Sequence, residues 1–104
     1  MSKSEVLRKD LESKSILKVG GAFDAMSAKL VENSGFDAVW AGSFAISATH
    51  ALPDASILTM TEFFDAASSM SSTCKIPIIA DCDTGYGGPS NVRHMVQKYE
   101  SAGI

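Results

Sequence analysis

Apolar positions in this chain fall into two alternating rhythms, short continuous runs and runs spaced three and four residues apart. The first spaced run covers residues 4–13. It puts Val6, Leu7 and Leu11 on one side of a short amphipathic helix, facing a partner element. Ile16-Leu17-Lys18-Val19-Gly20-Gly21-Ala22 then predicts a first strand that ends in glycines. Asp24 is placed to cap a helix over 25–34 with Ala25, Ala28 and Val31 on its apolar side, and Gly35 stands where a C-cap glycine belongs. Phe36-Asp37-Ala38-Val39-Trp40 predicts a second strand, followed by Ala41-Gly42-Ser43. Residues 44–58 keep no period and predict a long loop with a turn at Pro53-Asp54. Long loops in compact domains are often functional. Thr59-Met60-Thr61-Glu62 fits a capping box, with Leu58 and Phe63 as its hydrophobic staple. Met60, Phe63, Phe64, Ala67 and Met70 continue at helical spacing and read as core. Ile76-Pro77-Ile78-Ile79-Ala80 predicts a third strand, apolar on both faces as in a covered parallel sheet, with Pro77 tolerable near its start. A last helix over 90–101 turns Val92, Met95, Val96 and Tyr99 inward.

Strand-helix alternation implies an α/β fold with a parallel sheet and right-handed crossovers. A weak echo runs through it. Glu32-Asn33-Ser34-Gly35-Phe36 closes a helix and opens a strand, and Glu100-Ser101-Ala102-Gly103-Ile104 repeats the pattern. A closed (β/α)8 barrel needs about 250 residues. The expectation is therefore one domain, 1–104, formed by a leading helix and about three β/α units of such a barrel, its N-terminal part, truncated inside a repeat. Two open sheet edges would then make the chain associate.

Composition narrows the classes. An apolar share of 45% with 20% charged residues is ordinary for a globular chain, and a net charge of −3 leaves no basic surface for nucleic acid. No apolar run reaches the length of a membrane span, and Met1-Ser2-Lys3-Ser4-Glu5 lacks the apolar core of a signal peptide. Cys74 and Cys82 form no CxxC pair, which fits buried thiols in a reducing cytoplasm.

The chemistry concentrates in Ile78-Ile79-Ala80-Asp81-Cys82-Asp83-Thr84-Gly85-Tyr86-Gly87-Gly88. Continued as a strand, this run puts Asp81 and Asp83 on one face and Cys82 on the other. Adjacent carboxylates at the end of an apolar strand are costly unless a cation neutralises them. Magnesium or manganese, with water completing the octahedron, suits such oxygen ligands. The glycines that follow let a ligand approach the backbone. A calcium loop counted from Asp81 fails, because its required Gly and Glu positions hold Tyr86 and Val92. A dinucleotide fingerprint starting at Gly85 and Gly87 fails at Ser90. An aspartyl-nucleophile phosphatase motif breaks at Gly85. A hydrogen-bonded Asp-Gly turn remains the bland alternative.

Three elements in this order and spacing, Trp40 with Gly42 and Ser43, Leu52-Pro53-Asp54-Ala55, and Asp81-Cys82-Asp83-Thr84-Gly85-Tyr86-Gly87, resemble the phosphoenolpyruvate mutase and isocitrate lyase superfamily. The resemblance runs from about Leu7 to Ile104 and covers the N-terminal part of that family's barrel. It implies a magnesium-dependent cytoplasmic enzyme (manganese as a substitute) that acts on small 2-oxo acids or enol phosphates. Such enzymes make or break a C–P or C–C bond beside a pyruvate-like carbonyl. By resemblance, Asp81 is the direct metal ligand, and Asp83 and Asp54 hold the metal's waters, Asp54 also serving in catalysis. Trp40, Gly42, Ser43 and Phe44 lie where the family binds substrate. Family members assemble as tetramers or dimers. Two departures stand out: the family's Gly-Ser-Gly after the Trp is Ala41-Gly42-Ser43, and its Asn after Gly-Tyr-Gly is Gly88. His50 and His94 match none of the family's later site residues and read as structural or surface groups. The implied reaction is interconversion of phosphoenolpyruvate and phosphonopyruvate. The alternatives are phosphonopyruvate hydrolysis, a C–C lyase reaction, or a catalytically incomplete piece.

Overall fold

The computed structural model describes residues 1–104. Its elements are α1 (Lys3–Ser13), β1 (Val19–Ala22), α2 (Ala25–Asn33), β2 (Ala38–Ala41), α3 (Ser43–Thr49), α4 (Met60–Thr73), β3 (Ile78–Ala80) and α5 (Pro89–Ser101). The strands form one parallel sheet in the order β1-β2-β3. The register puts Gly21, Trp40 and Ile79 in one row, flanked by rows such as Ala22, Ala41 and Ala80. Side chains alternate across the sheet, so these rows face opposite ways.

The expected rhythm is present, and local chemistry explains it. Asp24 and Thr59 each cap a helix as a capping box, Asp24 Oδ1 taking the Ser27 N–H at 2.8 Å and Thr59 Oγ1 that of Glu62 at 3.3 Å. Leu58 and Phe63 are both buried in the central cluster, which Ala28, Val39, Ala67, Met70 and Met95 also help to build. The echo is structural. Gly35 and Gly103 both take positive φ after their helices, donating to Glu32 and Glu100 carbonyls at 3.1 and 3.0 Å. Only glycine enters that conformation without strain.

Four expectations need correction. Residues 43–49, read mostly as loop, form α3, because burial of Ile46 and Ser47 overrides a weak local preference. The first strand starts at Val19, since Ile16 lies 75% exposed before the ladder begins. Leu11 and Val96, assigned to inner helix faces, are exposed, and α1 buries no residue. The third strand ends at Ala80, so the alternation expected through Asp81 and Asp83 does not continue. Asp83 sits at φ 44 in a turn.

Two carboxylates fasten the N-terminal end of the sheet. Glu32 accepts the backbone N–H groups of Lys75 and Ile76 at 2.6 and 3.0 Å and the Lys29 ammonium at 2.7 Å. Asp37 accepts the Lys18 N–H at 2.9 Å and the Lys14 ammonium at 2.6 Å. On the periphery, Lys3 of α1 bonds the carbonyl and hydroxyl of Ser71, whose Oγ–H donates to the Ala102 carbonyl at 2.8 Å.

Candidate active site

The opposite, C-terminal end of the sheet holds the candidate site. β2 ends at Ala41, Gly42 turns the chain, and Ser43 opens α3. β3 ends at Ala80, and its ladder reaches one residue further, with the Asp81 N–H donating to the Ala41 carbonyl at 3.0 Å. The Asp81 carboxylate thereby lies against the start of α3. Ser43 Oγ–H donates to Asp81 Oδ2 at 2.8 Å, and the Ser43 N–H reaches the same oxygen at 3.3 Å. The Asp83 N–H donates to Oδ1 at 3.1 Å. Burial pushes the Asp81 carboxyl up, but these three donors outweigh it and hold the group below the usual carboxylate range.

A cavity of about 210 Å³ opens at this point. Its walls include Trp40, Gly42, Ser43, Phe44, Asp54 and Asp81, so six of the seven residues singled out from the sequence meet there. Gly21 and Ala45 complete the wall and were not anticipated. The position of Gly21 at the end of β1 was the available signal, because barrel enzymes gather their sites at strand ends. Asp83 is the residue left out. Its carboxylate turns to Ser56, whose Oγ–H lies 3.4 Å away. Of the three carboxylates expected together, Asp54 and Asp81 line one cavity, and Asp83 is joined to Asp81 only through its backbone N–H.

Four larger hollows lie elsewhere, and the two largest carry less chemistry. A groove of about 530 Å³ between α1, β3 and α5 is lined mainly by apolar side chains. One of about 420 Å³ beside Phe64 and His94 holds no carboxylate. His50 and His94 are exposed and lie away from the acidic pair. Both cysteines are free, and burial pushes both thiols up.

Trp40 shapes the mouth. Its indole is 41% exposed and folds over Gly42, where a Cβ would stand 2.6 Å from Nε1. Beneath the site, Tyr86 Oη–H donates to the Asp81 carbonyl at 3.4 Å, while the buried Tyr99 hydroxyl has no hydrogen-bond partner.

The donor set fits one kind of cation. No three acidic, His or Cys side chains come together as a cage. Magnesium is held by one or two carboxylates, with water and substrate oxygens filling its octahedron, and the pair Asp54 and Asp81 matches that mode.

Comparison with known proteins identifies the family. The family profile described as phosphoenolpyruvate phosphomutase matches residues 7–104. The chain is 41% identical over 103 residues to the phosphonopyruvate hydrolase of Variovorax sp. (strain Pal2), covering 99% of this chain and 36% of that enzyme. It superposes on the crystal structure of phosphoenolpyruvate phosphomutase from Streptomyces platensis subsp. rosaceus with a TM-score of 0.94 and 46% identity, over 97% of this chain and 35% of the other. A phosphonopyruvate hydrolase solved in complex with oxalate and Mg2+ gives 0.95 and 40%, over 100% and 37%. The chain thus spans about a third of the length of the relatives it matches, and its three strands correspond to the N-terminal part of their (β/α)8 barrel.

Proposed function

Because this chain belongs to the phosphoenolpyruvate phosphomutase family, within the superfamily that includes isocitrate lyase, we propose that it carries the metal-binding part of an enzyme interconverting phosphoenolpyruvate and phosphonopyruvate. One observation carries the reading: Asp54 and Asp81 share a single small cavity with Trp40, Gly42, Ser43 and Phe44. The cavity suits a ligand of few atoms rather than a large cofactor.

In this reading Asp81 would hold Mg2+ directly and Asp54 would act through its waters, with Mn2+ as a substitute; the Asp83 carboxylate, turned to Ser56, drops out of the set. A cation held there would supply Lewis acidity toward the substrate's oxo group. The chain's own residues bind and orient. The exposed Trp40 indole forms a flat apolar wall, and Gly42 and Phe44 bring backbone close to the substrate carboxylate. Phosphonopyruvate hydrolysis is the second reading, favoured by the 41% identity to a hydrolase, with water instead of the enol oxygen accepting the phosphoryl group. A C–C lyase reaction is the third. The proposal extends to a cytoplasmic homo-oligomer, a setting in which two free thiols persist.

The test is 31P NMR of phosphonopyruvate with Mg2+. Residues 1–104 alone are expected to leave it unchanged, since two carboxylates and one wall are too few contacts for the transition state. A chimera carrying this chain in place of the matching third of the Streptomyces phosphomutase is expected to form phosphoenolpyruvate in a Mg2+-dependent manner. A folded chimera without turnover refutes the site. Turnover unchanged by D81N in the chimera refutes the metal assignment.

A further inference from the structure

We propose that Ser43 is a positioning residue for Asp81, setting which carboxylate oxygen is free for the cation, and is not itself a donor to substrate. The inference rests on the metal reading above and goes beyond it. Ser43 is 3% exposed and lies 38 residues from Asp81 in sequence. Both of its donors, the hydroxyl at 2.8 Å and the N–H at 3.3 Å, go to the same atom, Asp81 Oδ2.

An ionised carboxylate offers about two acceptor positions on each oxygen. Ser43 takes both on Oδ2, and the Asp83 N–H takes one on Oδ1 at 3.1 Å. One acceptor position remains, on Oδ1. Asp81 is therefore preset as a one-oxygen ligand, and it cannot turn about its terminal bond without breaking three hydrogen bonds. The same count removes Ser43 from substrate recognition. With its single hydroxyl proton committed, the oxygen could only accept, which is the wrong polarity toward an anionic acid. The bond also joins the ends of β2 and β3, so its loss loosens the ligand rather than removing it.

Mn2+ is the probe, read as depletion of the free-ion EPR signal, on residues 1–104 and on variants whose folding is checked by thermal melting. Ser43→Ala is expected to weaken uptake about 10- to 100-fold, the usual cost of losing an outer-shell partner of a ligand. Ser43→Cys keeps the size but donates feebly, and it is expected to weaken uptake too. Ser43→Thr retains the hydroxyl and is expected to restore uptake to within about threefold of the parent, a rescue that a purely structural role would not require. Parent affinity in a folded Ser43→Ala or Ser43→Cys chain, with uptake lost in Asp81→Asn, overturns the Ser43 assignment alone. Absence of uptake by the parent chain, or uptake unaffected by Asp81→Asn, overturns the metal reading and this inference with it.

Discussion

Replacing Gly42 by alanine separates the geometry of the site from the stability of the fold. The new Cβ would lie 2.6 Å from Trp40 Nε1 and 3.0 Å from Cδ1, well inside contact distance, so the indole must move. The backbone itself tolerates the change. Gly42 has φ −88, open to any residue, and it is the N-cap of α3 without a side-chain bond to lose. Alanine at such a site gains about 0.4–1 kcal/mol from the unfolded chain. It loses about 0.5–1 kcal/mol as a poorer N-cap. A displaced indole costs about 0.5–1.5 kcal/mol if it leaves its rotamer. These contributions leave a net loss of about 1 kcal/mol, so the melting temperature should stay within about 8 °C of the parent. The indole, already 41% exposed, should swing outward. Trp40 is the single tryptophan, so the emission of the whole chain reports it. A red-shifted maximum and readier acrylamide quenching are expected. Unchanged emission and quenching would refute the packing argument. A melting point lower by about 15 °C would show that the backbone, not the indole, had yielded.

Further expectations follow from other contacts. Tyr99→Phe removes a buried hydroxyl that has no partner, and it should raise the melting temperature by a few degrees or leave it unchanged; a clear loss would reveal a hydrogen bond at that atom. The Lys29 ammonium, with the Lys75 and Ile76 N–H groups, holds Glu32 down at about 2 against an ordinary 4.5, the donors outweighing the opposing effect of burial. A depressed carboxyl stabilises the fold above its unfolded value and loses that contribution as pH falls toward the folded one, so melting temperature should drop between about pH 4.5 and 2, and Glu32→Gln should flatten part of that fall. Gly85→Ala meets both a φ of +93 and Val92 Cγ2 at 2.6 Å, and a loss beyond about 1 kcal/mol in denaturant melts is expected; a neutral result would argue against this turn. The outer edges of β1 and β3 and exposed Val19 and Trp40 should drive association in size-exclusion chromatography, whereas a sharp monomer peak with cooperative melting would speak against it.

Much of the fold could be read from residues that act locally. Asp24, Thr59 with Glu62, and Gly35 announce helix ends through hydrogen bonds within four residues, and those boundaries fell where the chemistry put them. Elements decided by distant contacts were harder. α3 is rich in Ser and Thr and has no side-chain cap, and what folds it is burial of Ile46 and Ser47. The site divides in the same way. Trp40 and Asp81 marked the ends of β2 and β3, but Asp54 lies between α3 and α4, and the end of β3 at Ala80 and the positive φ of Asp83 arise from sheet pairing and turn geometry. The Ser43–Asp81 bond spans 38 residues and leaves no local signature.

Glu32 and Asp37 spend their acceptors on backbone N–H groups ahead of the strands, whereas Asp81 and Asp54 stand past the opposite ends. This polarity makes the two rims independently tunable. Substitutions at Glu32 or Asp37 would shift heat tolerance and leave ion uptake alone; those at Asp54 or Asp81 would act first on ion uptake. A mutant library built on this chain could therefore explore new chemistry at one pole while the other keeps the strands in register.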